Sequence, residues 1–201
     1  HESAAAAIAE GRFGAEMVAM TLDGVLRTSD QCVRPGTSTE TLAGLKPAFR
    51  KEDGRVTAGS SSPISDGAAA VLLCSAEAAE RYGLTTRARI VDQTTVGVDP
   101  IIMLTGPIPA TRKLLERNGL TVDDIDLFEV NEALSSVVLA WQRELKADPD
   151  RVNVNGGAIA LGHAVGATGA RLIATLVADS APDPAHVVGS AVVVLADRQD
   201  I

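Results

Sequence analysis

From Asn153 to Arg171 the chain reads Asn-Val-Asn-Gly-Gly-Ala-Ile-Ala-Leu-Gly-His-Ala-Val-Gly-Ala-Thr-Gly-Ala-Arg, five glycines around a single histidine. Glycine loses more backbone entropy on folding than any other residue. A cluster of glycines therefore marks backbone in conformations that other residues resist, or something pressed against the main chain. Gly156, Gly157, Gly162, Gly166 and Gly169 lie where a strand is expected to hand over to a helix. The fold must accommodate that passage, with His163 at its centre. Imidazole is the side chain best matched to proton transfer near neutral pH, so His163 is a candidate catalytic group. A hydrogen-bonded histidine inside a strand-to-helix turn is the alternative reading.

Composition narrows the rest. Apolar residues make up 46% of the 201 and aromatics only 2%, so a substantial core must be built from Ala, Val, Leu and Ile. A formal net charge of -8 argues against a nucleic-acid-binding surface, although a local basic patch could still take an anion. Cys32 and Cys74 are far apart and form no CxxC pair, so neither a disulfide framework nor a thiolate metal site is expected, and a reducing cytoplasm fits. The apolar runs 67–74 and 191–196 are too short to span a membrane, and residues 1–13 lack the regions of a signal peptide. The chain begins at His1 inside an Ala-rich helical stretch and reads as part of a longer one.

Periodicity predicts a helix over residues 2–10, a strand around Val18–Leu22, and a loop-dominated segment over 30–66 with a short helix near Thr39–Leu45. The run Ala68–Cys74 is expected to be a buried strand, Ser75–Gly83 a short helix closed by its glycine, and Arg89–Val96 another strand. Pro107–Gly119 has prolines in its first turn and a terminal glycine, the marks of a helix. Thr121 and Asp124 have capping-box spacing. Asp126–Val130 reads as a strand. Leu134, Val137, Val138, Trp141 and Leu145 form one face of a helix. A last helix is expected over about Thr168–Val177 and a last strand over Val187–Ala196. The alternation implies an α/β layered domain with helices on both faces of a mixed sheet.

With Asn131-Glu132-Ala133 and Gly162-His163 in this setting, the chain resembles the thiolases, acyltransferases that cleave or form 3-ketoacyl-CoA. Further blocks carry the same resemblance. They are Val56-Thr57-Ala58-Gly59, Ser65-Asp66-Gly67-Ala68-Ala69-Ala70, Val96-Gly97-Val98-Asp99-Pro100 and Gly106-Pro107-Ile108-Pro109-Ala110. The resemblance implies the C-terminal portion of such an enzyme. Residues 1–55 match the end of its loop domain, 56–85 the last segment of its N-terminal domain, and 86–201 its layered βαβαβ C-terminal domain. The part carrying the family's acylated cysteine is not matched, and Cys32 and Cys74 lie outside that cysteine's context.

Thiolase chemistry needs a thiolate to accept an acyl group, a base, and donors for developing oxyanions. By resemblance His163 is the histidine that activates the nucleophile, and Asn131 is the amide that positions a water at the oxyanion. Asn131 also reads as a helix cap after its strand. Arg34 aligns with an arginine near the nucleotide end of coenzyme A, where guanidinium meets phosphate or adenine; a solvated surface arginine is its plainer reading. Thr41, Leu45, Ala58 and Ser62 align with positions lining the adenine and pantetheine arm, and Met103 with one near the acyl pocket. Coenzyme A is thus expected as substrate, with no permanently bound cofactor and no metal.

The sequence departs from the family at several points. Its second catalytic cysteine is expected at Val193 or Val194, and the glycine turn after it is replaced by Ala196-Asp197-Arg198. Ala164 replaces a proline and Leu134 a phenylalanine. Ser60, Pro63 and Ser65 replace Asn, Gly and Asn, and Pro63 removes a backbone donor. A non-catalytic CoA-binding or assembly subunit is therefore the alternative function. A ketoacyl synthase is a third, and it lacks its expected second histidine and lysine here, since His1 and His186 have no comparable setting. Residues 1–85 cannot complete a sheet of their own, so association is expected, as a homodimer or homotetramer or with an N-terminal half. No nucleic-acid or membrane partner is expected.

Overall fold

A computed structural model describes residues 1–179 and the backbone of residues 190–193. Its centre is strand β3, Leu127–Val130, whose alternation decides what packs on each side. Phe128 and Val130 face a core with Ile125, Val138, Trp141 and Ala147, closed by Ile108, Leu115 and Leu145. Helices α4 (Pro107–Asn118) and α5 (Ser135–Leu145) supply that face. Phe128 meets Trp141 edge-on with ring centroids 5.0 Å apart. Trp141 Nε1 donates to Thr111 Oγ1 at 3.0 Å, and that hydroxyl donates to Pro107 O at 2.8 Å, so the one polar atom of the ring is satisfied inside the core. Glu129 points the other way, toward helix α7 (Thr168–Asp179). Helices thus cover both faces of β3, as the alternating pattern predicts.

Strand β4, Ser190–Val193, pairs in parallel with β3, Val193 standing opposite Val130. A parallel bridge joins Phe128 to Val152 on the far side. The remainder of the predicted last strand, with Val194, Ala196-Asp197-Arg198 and His186, lies outside the described residues.

Local signals held where they rest on caps. Helix α1 spans Glu2–Ala9, and Gly11 follows with φ +72°. Ser38 opens α2 (Thr39–Ala43) with a capping box, and Ser75 caps α3 (Ala76–Arg81). Thr121 and Asp124 close a 3-10 turn over Val122–Asp124. The predicted strand at Val18–Leu22 is one arm of a hairpin, β1 (Met20–Leu22) against β2 (Val25–Arg27). Its turn is Asp23-Gly24, both with positive φ, the commonest two-residue hairpin signal.

Two expected strands are absent. Residues 68–74 and 89–96 run without regular structure, and most of the apolar side chains among them are exposed, Leu72 by 79% and Val91 by 69%. Their composition suits strands, but a strand exists only by exchanging backbone hydrogen bonds with a neighbour. No strand of the described residues lies beside either segment. The second is tied at Asp92, which accepts hydrogen bonds from Arg117 and Asn118 at the end of α4. Among the described residues no helix is long and apolar enough to cross a membrane, and no three His, Cys, Asp or Glu side chains are grouped to hold a metal.

Candidate active site

Three stretches of chain converge behind the end of β3. The first is residues 130–134. Asn153 grips Val130 from the side: its Oδ1 accepts from Val130 N at 2.8 Å and its Nδ2 donates to Val130 O at 2.9 Å. Asn153 adopts φ +48°, a conformation Asn tolerates better than most residues. Asn131 follows directly, 2% exposed, and its Oδ1 is buried with no hydrogen-bond partner among the described residues. Asn131 precedes α5 by several residues, and Leu134 occupies the cap position, so the plain helix-cap reading of Asn131 fails.

The second stretch is 57–65. Thr57 and Ser60 cap a 3-10 turn over Ala58–Ser60, and Leu42 and Leu45 of the α2 region pack onto Gly59 so closely that a Cβ there would sit 2.4 and 2.7 Å from their methyl groups. Ser62 N donates to Ala133 O at 3.0 Å, and bridges join Ser61 to Leu134 and Ile64 to His163. This loop therefore touches both the Asn131 and the His163 segments.

The third stretch is the glycine cluster. Gly157 N-caps α6 (Ala158–Leu161), a helix the periodicity did not reveal. Glu132 Oε2 accepts from Ile159 N at 3.3 Å, and a Cβ on Gly157 would lie 2.2 Å from that oxygen. Gly162 has φ +92°, and a Cβ there would come within 2.5 Å of Ser65 Oγ. These glycines make room for the protein's own side chains. A Cβ on Gly156 would likewise strike Ala4 of α1 at 2.7 Å.

His163 is part-buried. Its Nδ1 lies 2.7 Å from Thr168 Oγ1. Burial, and secondarily the positive charge of Arg171, hold its pKa below the ordinary value, so it is neutral and able to accept a proton near pH 7. An open groove of about 410 Å³ runs beside it, between residues 65–69 and 164–167.

The residues expected to meet coenzyme A fall into three places. Leu45, Ala58 and Ser62 lie on or against the 57–65 loop, and Thr41 lies on α2 beside Leu42, which packs on that loop: Thr41 Oγ1 accepts from Ser38 N, Leu45 packs on Gly59, Ala58 is exposed and Ser62 half-buried. Arg34 sits apart, its side chain exposed and its N–H directed at His1 Nδ1. Met103 lies in an exposed turn hydrogen-bonded back to Asp99. Neither Cys32 nor Cys74 hydrogen-bonds His163 among the described residues. Residues that sequence reasoning passed over are Glu132, Asn153 as a clamp, and Thr168. Of these, Asn153 opens the glycine-rich segment and Glu132 stands in the Asn131-Glu132-Ala133 block, but neither position revealed its contact.

Residues 84–193 match the family model "Thiolase, C-terminal domain", and residues 1–77 match "Thiolase, N-terminal domain". The steroid 3-ketoacyl-CoA thiolase FadA6 of Mycobacterium tuberculosis is 50% identical over 179 residues, covering 89% of this chain and 43% of that protein. Among solved structures, the dimeric peroxisomal thiolase of Saccharomyces cerevisiae superposes with a TM-score of 0.86 at 43% identity, covering 90% of this chain and 46% of that one. The human mitochondrial 3-ketoacyl-CoA thiolase in complex with CoA gives 0.82 at 39%, covering 89% and 45%. The chain thus spans less than half the length of these relatives.

Proposed function

The chain belongs to the thiolase family, and we propose that it supplies His163 and Asn131 to an acyl-CoA acyltransferase that performs thiolytic cleavage or Claisen condensation of 3-ketoacyl-CoA. The observation that carries this reading is the Oδ1 of Asn131, buried and unpartnered at the end of β3. A buried carbonyl oxygen without a donor costs about 1–3 kcal/mol, so a protein retains one where something else will supply the donor. A water held there would turn its second hydrogen toward a developing oxyanion. An amide orients that water without adding charge, so stabilisation appears as the oxyanion forms.

His163 acts as the base. As a neutral imidazole it takes the proton of an attacking thiol, and the imidazolium then faces the negative charge of the tetrahedral intermediate. Thr41, Leu45, Ala58 and Ser62 are proposed to receive coenzyme A at the 57–65 loop, Arg34 and Met103 to meet it from outside that loop, and Gly156, Gly157 and Gly162 to shape the floor. Support comes from the shared contacts of that loop with Ala133 and His163. The acyl-accepting thiol is proposed to come from elsewhere than Cys32 or Cys74. We also propose the division at residues 1–55, 56–85 and 86–201, association as a homodimer or homotetramer or with an N-terminal half, and a reducing cytoplasmic setting in keeping with two free cysteines.

One observation favours the alternative of a CoA-binding or assembly subunit without turnover. Val193 stands opposite Val130 in the sheet, one residue before Asn131, and a valine there offers no proton. Thiolysis of acetoacetyl-CoA by the protein purified from its source separates the two. Turnover that His163→Gln and Asn131→Ala both strongly lower supports the acyltransferase. CoA binding with no turnover supports the subunit. Turnover indifferent to both substitutions defeats the proposed site.

A further inference from the structure

We propose that Thr168 is a positioning residue that holds His163 in the Nδ1–H tautomer and so places the basic lone pair on Nε2. The argument is a count of protons. A threonine hydroxyl has one hydrogen to give and lone pairs to receive. Thr168 Oγ1 lies 2.9 Å from Ala164 O, an acceptor with nothing to donate, so the hydroxyl hydrogen belongs to that bond. His163 Nδ1 lies 2.7 Å from the same oxygen. A lone pair on Nδ1 would face a lone pair on Oγ1, so the proton on this second bond comes from the ring.

The surroundings keep the arrangement from relaxing. Thr168 is 4% exposed, so water has little access to substitute for it. It opens α7, and its own N–H donates to Ala164 O at 2.9 Å, which fixes the hydroxyl against that carbonyl. On the other side the backbone of His163 is bridged to Ile64 and preceded by Gly162, whose positive φ sets the direction of entry. The ring is held between two anchored stretches, with its Nδ1 occupied. What remains to exchange a proton is Nε2. When His163 takes a proton there, the Nδ1–H bond is undisturbed, so charging the ring needs no rearrangement of its support.

The functional meaning of this tautomer rests on the base role proposed above, but the tautomer can be read without any turnover. The test is ¹⁵N NMR of the full chain labelled at histidine, at a pH where the ring is neutral, with His163→Gln to identify its signals among His1, His163 and His186. We expect a protonated, pyrrole-type Nδ1 and a pyridine-type Nε2 in the unsubstituted protein and in Thr168→Ser, and loss of that pattern in Thr168→Val. A pyridine-type Nδ1 in the unsubstituted protein overturns the inference. So does a Thr168→Val protein that is folded and keeps the same tautomer.

Thiolysis is read separately, with the part that supplies the acyl-accepting thiol present. Thr168→Val should lower kcat on the order of 100-fold with KM little changed, and Thr168→Ser should restore most of it. Full turnover in Thr168→Val alongside loss in His163→Gln refutes the positioning role while leaving the acyltransferase reading intact. No turnover in any form counts against that reading and leaves the tautomer to be decided by the spectrum.

Discussion

A carboxylate oxygen of Glu129 lies 3.5 Å from Nη1 of Arg171, a long contact for an ion pair in which the acid is 2% exposed. The other terminal nitrogen of Arg171 is buried with no partner among the described residues. Burial outweighs attraction on both sides. Desolvation pushes the Glu129 carboxyl up to about 8, against the pull of Arg171, and holds the guanidinium below its ordinary value. Glu16, which accepts from Thr175 at 2.8 Å, is raised by burial as well.

Stability should therefore depend on pH through Glu129. The unfolded chain releases this proton near 4.5 and the native one near 8, so the native state binds more protons in between. Its contribution is complete below the lower value and is lost as pH rises through the upper. Relative to Glu129→Gln, the unsubstituted protein should lose up to about 5 kcal/mol across this window. Urea unfolding at a series of pH values checks this, and parallel curves for the two proteins would contradict it.

Asn131 should separate function from stability. Its carbonyl gives up no protein hydrogen bond when removed, so Asn131→Ala should change unfolding free energy by no more than about 1 kcal/mol. Acyl transfer should nonetheless fall by roughly 10²–10³-fold, the usual cost of one lost oxyanion donor. Denaturant midpoints and kcat measured on the same preparation are the check. A large stability loss would mean that Asn131 has a structural partner instead.

At Gly162 two penalties add. Alanine there meets a left-handed φ of +92° and the side chain of Ser65 at 2.5 Å. Gly162→Ala should cost about 1–3 kcal/mol. Adding Ser65→Gly should return part of that cost and leave the backbone strain, giving a coupling on the order of 1 kcal/mol in a double-mutant cycle. Strict additivity would rule out the close approach.

The sole tryptophan offers a direct probe of the core. Thr111→Val removes the acceptor of Trp141 Nε1 and should destabilise by about 1–3 kcal/mol, with Thr111→Ser recovering most of it. Intrinsic fluorescence during thermal unfolding reports both the transition and the environment of the ring.

The legible parts of this fold are those whose causes are local. Helices α4 and α5 declare themselves through proline, glycine and a repeating apolar face, and Ser38, Ser75 and Thr121 mark the turns they cap. Residues 68–74 and 89–96 read as strands because their composition suits a sheet, yet pairing is a property of a neighbour and not of the segment. The hairpin partner Val25–Arg27 was missed because three residues are too few for alternation to show, although Asp23-Gly24 announced the turn. In the candidate site, His163 and Asn131 stood out by residue type and setting. Glu132 and Thr168 did not, since their roles lie in contacts with Ile159 and His163 that no local pattern encodes.

The 57–65 loop touches Leu134 and His163 through bridges that close roughly 70 and roughly 100 residues of chain, so each costs loop entropy before it returns any contact energy. Such contacts raise contact order and slow folding. A ribosome releasing this chain would have completed α4 and α5 before the glycine cluster emerged, whereas β3, which pairs with β4, and the site could close only afterwards. The groups gathered here for chemistry are therefore among the last to find one another, and a nascent chain would hold its helices well before it held its candidate active site.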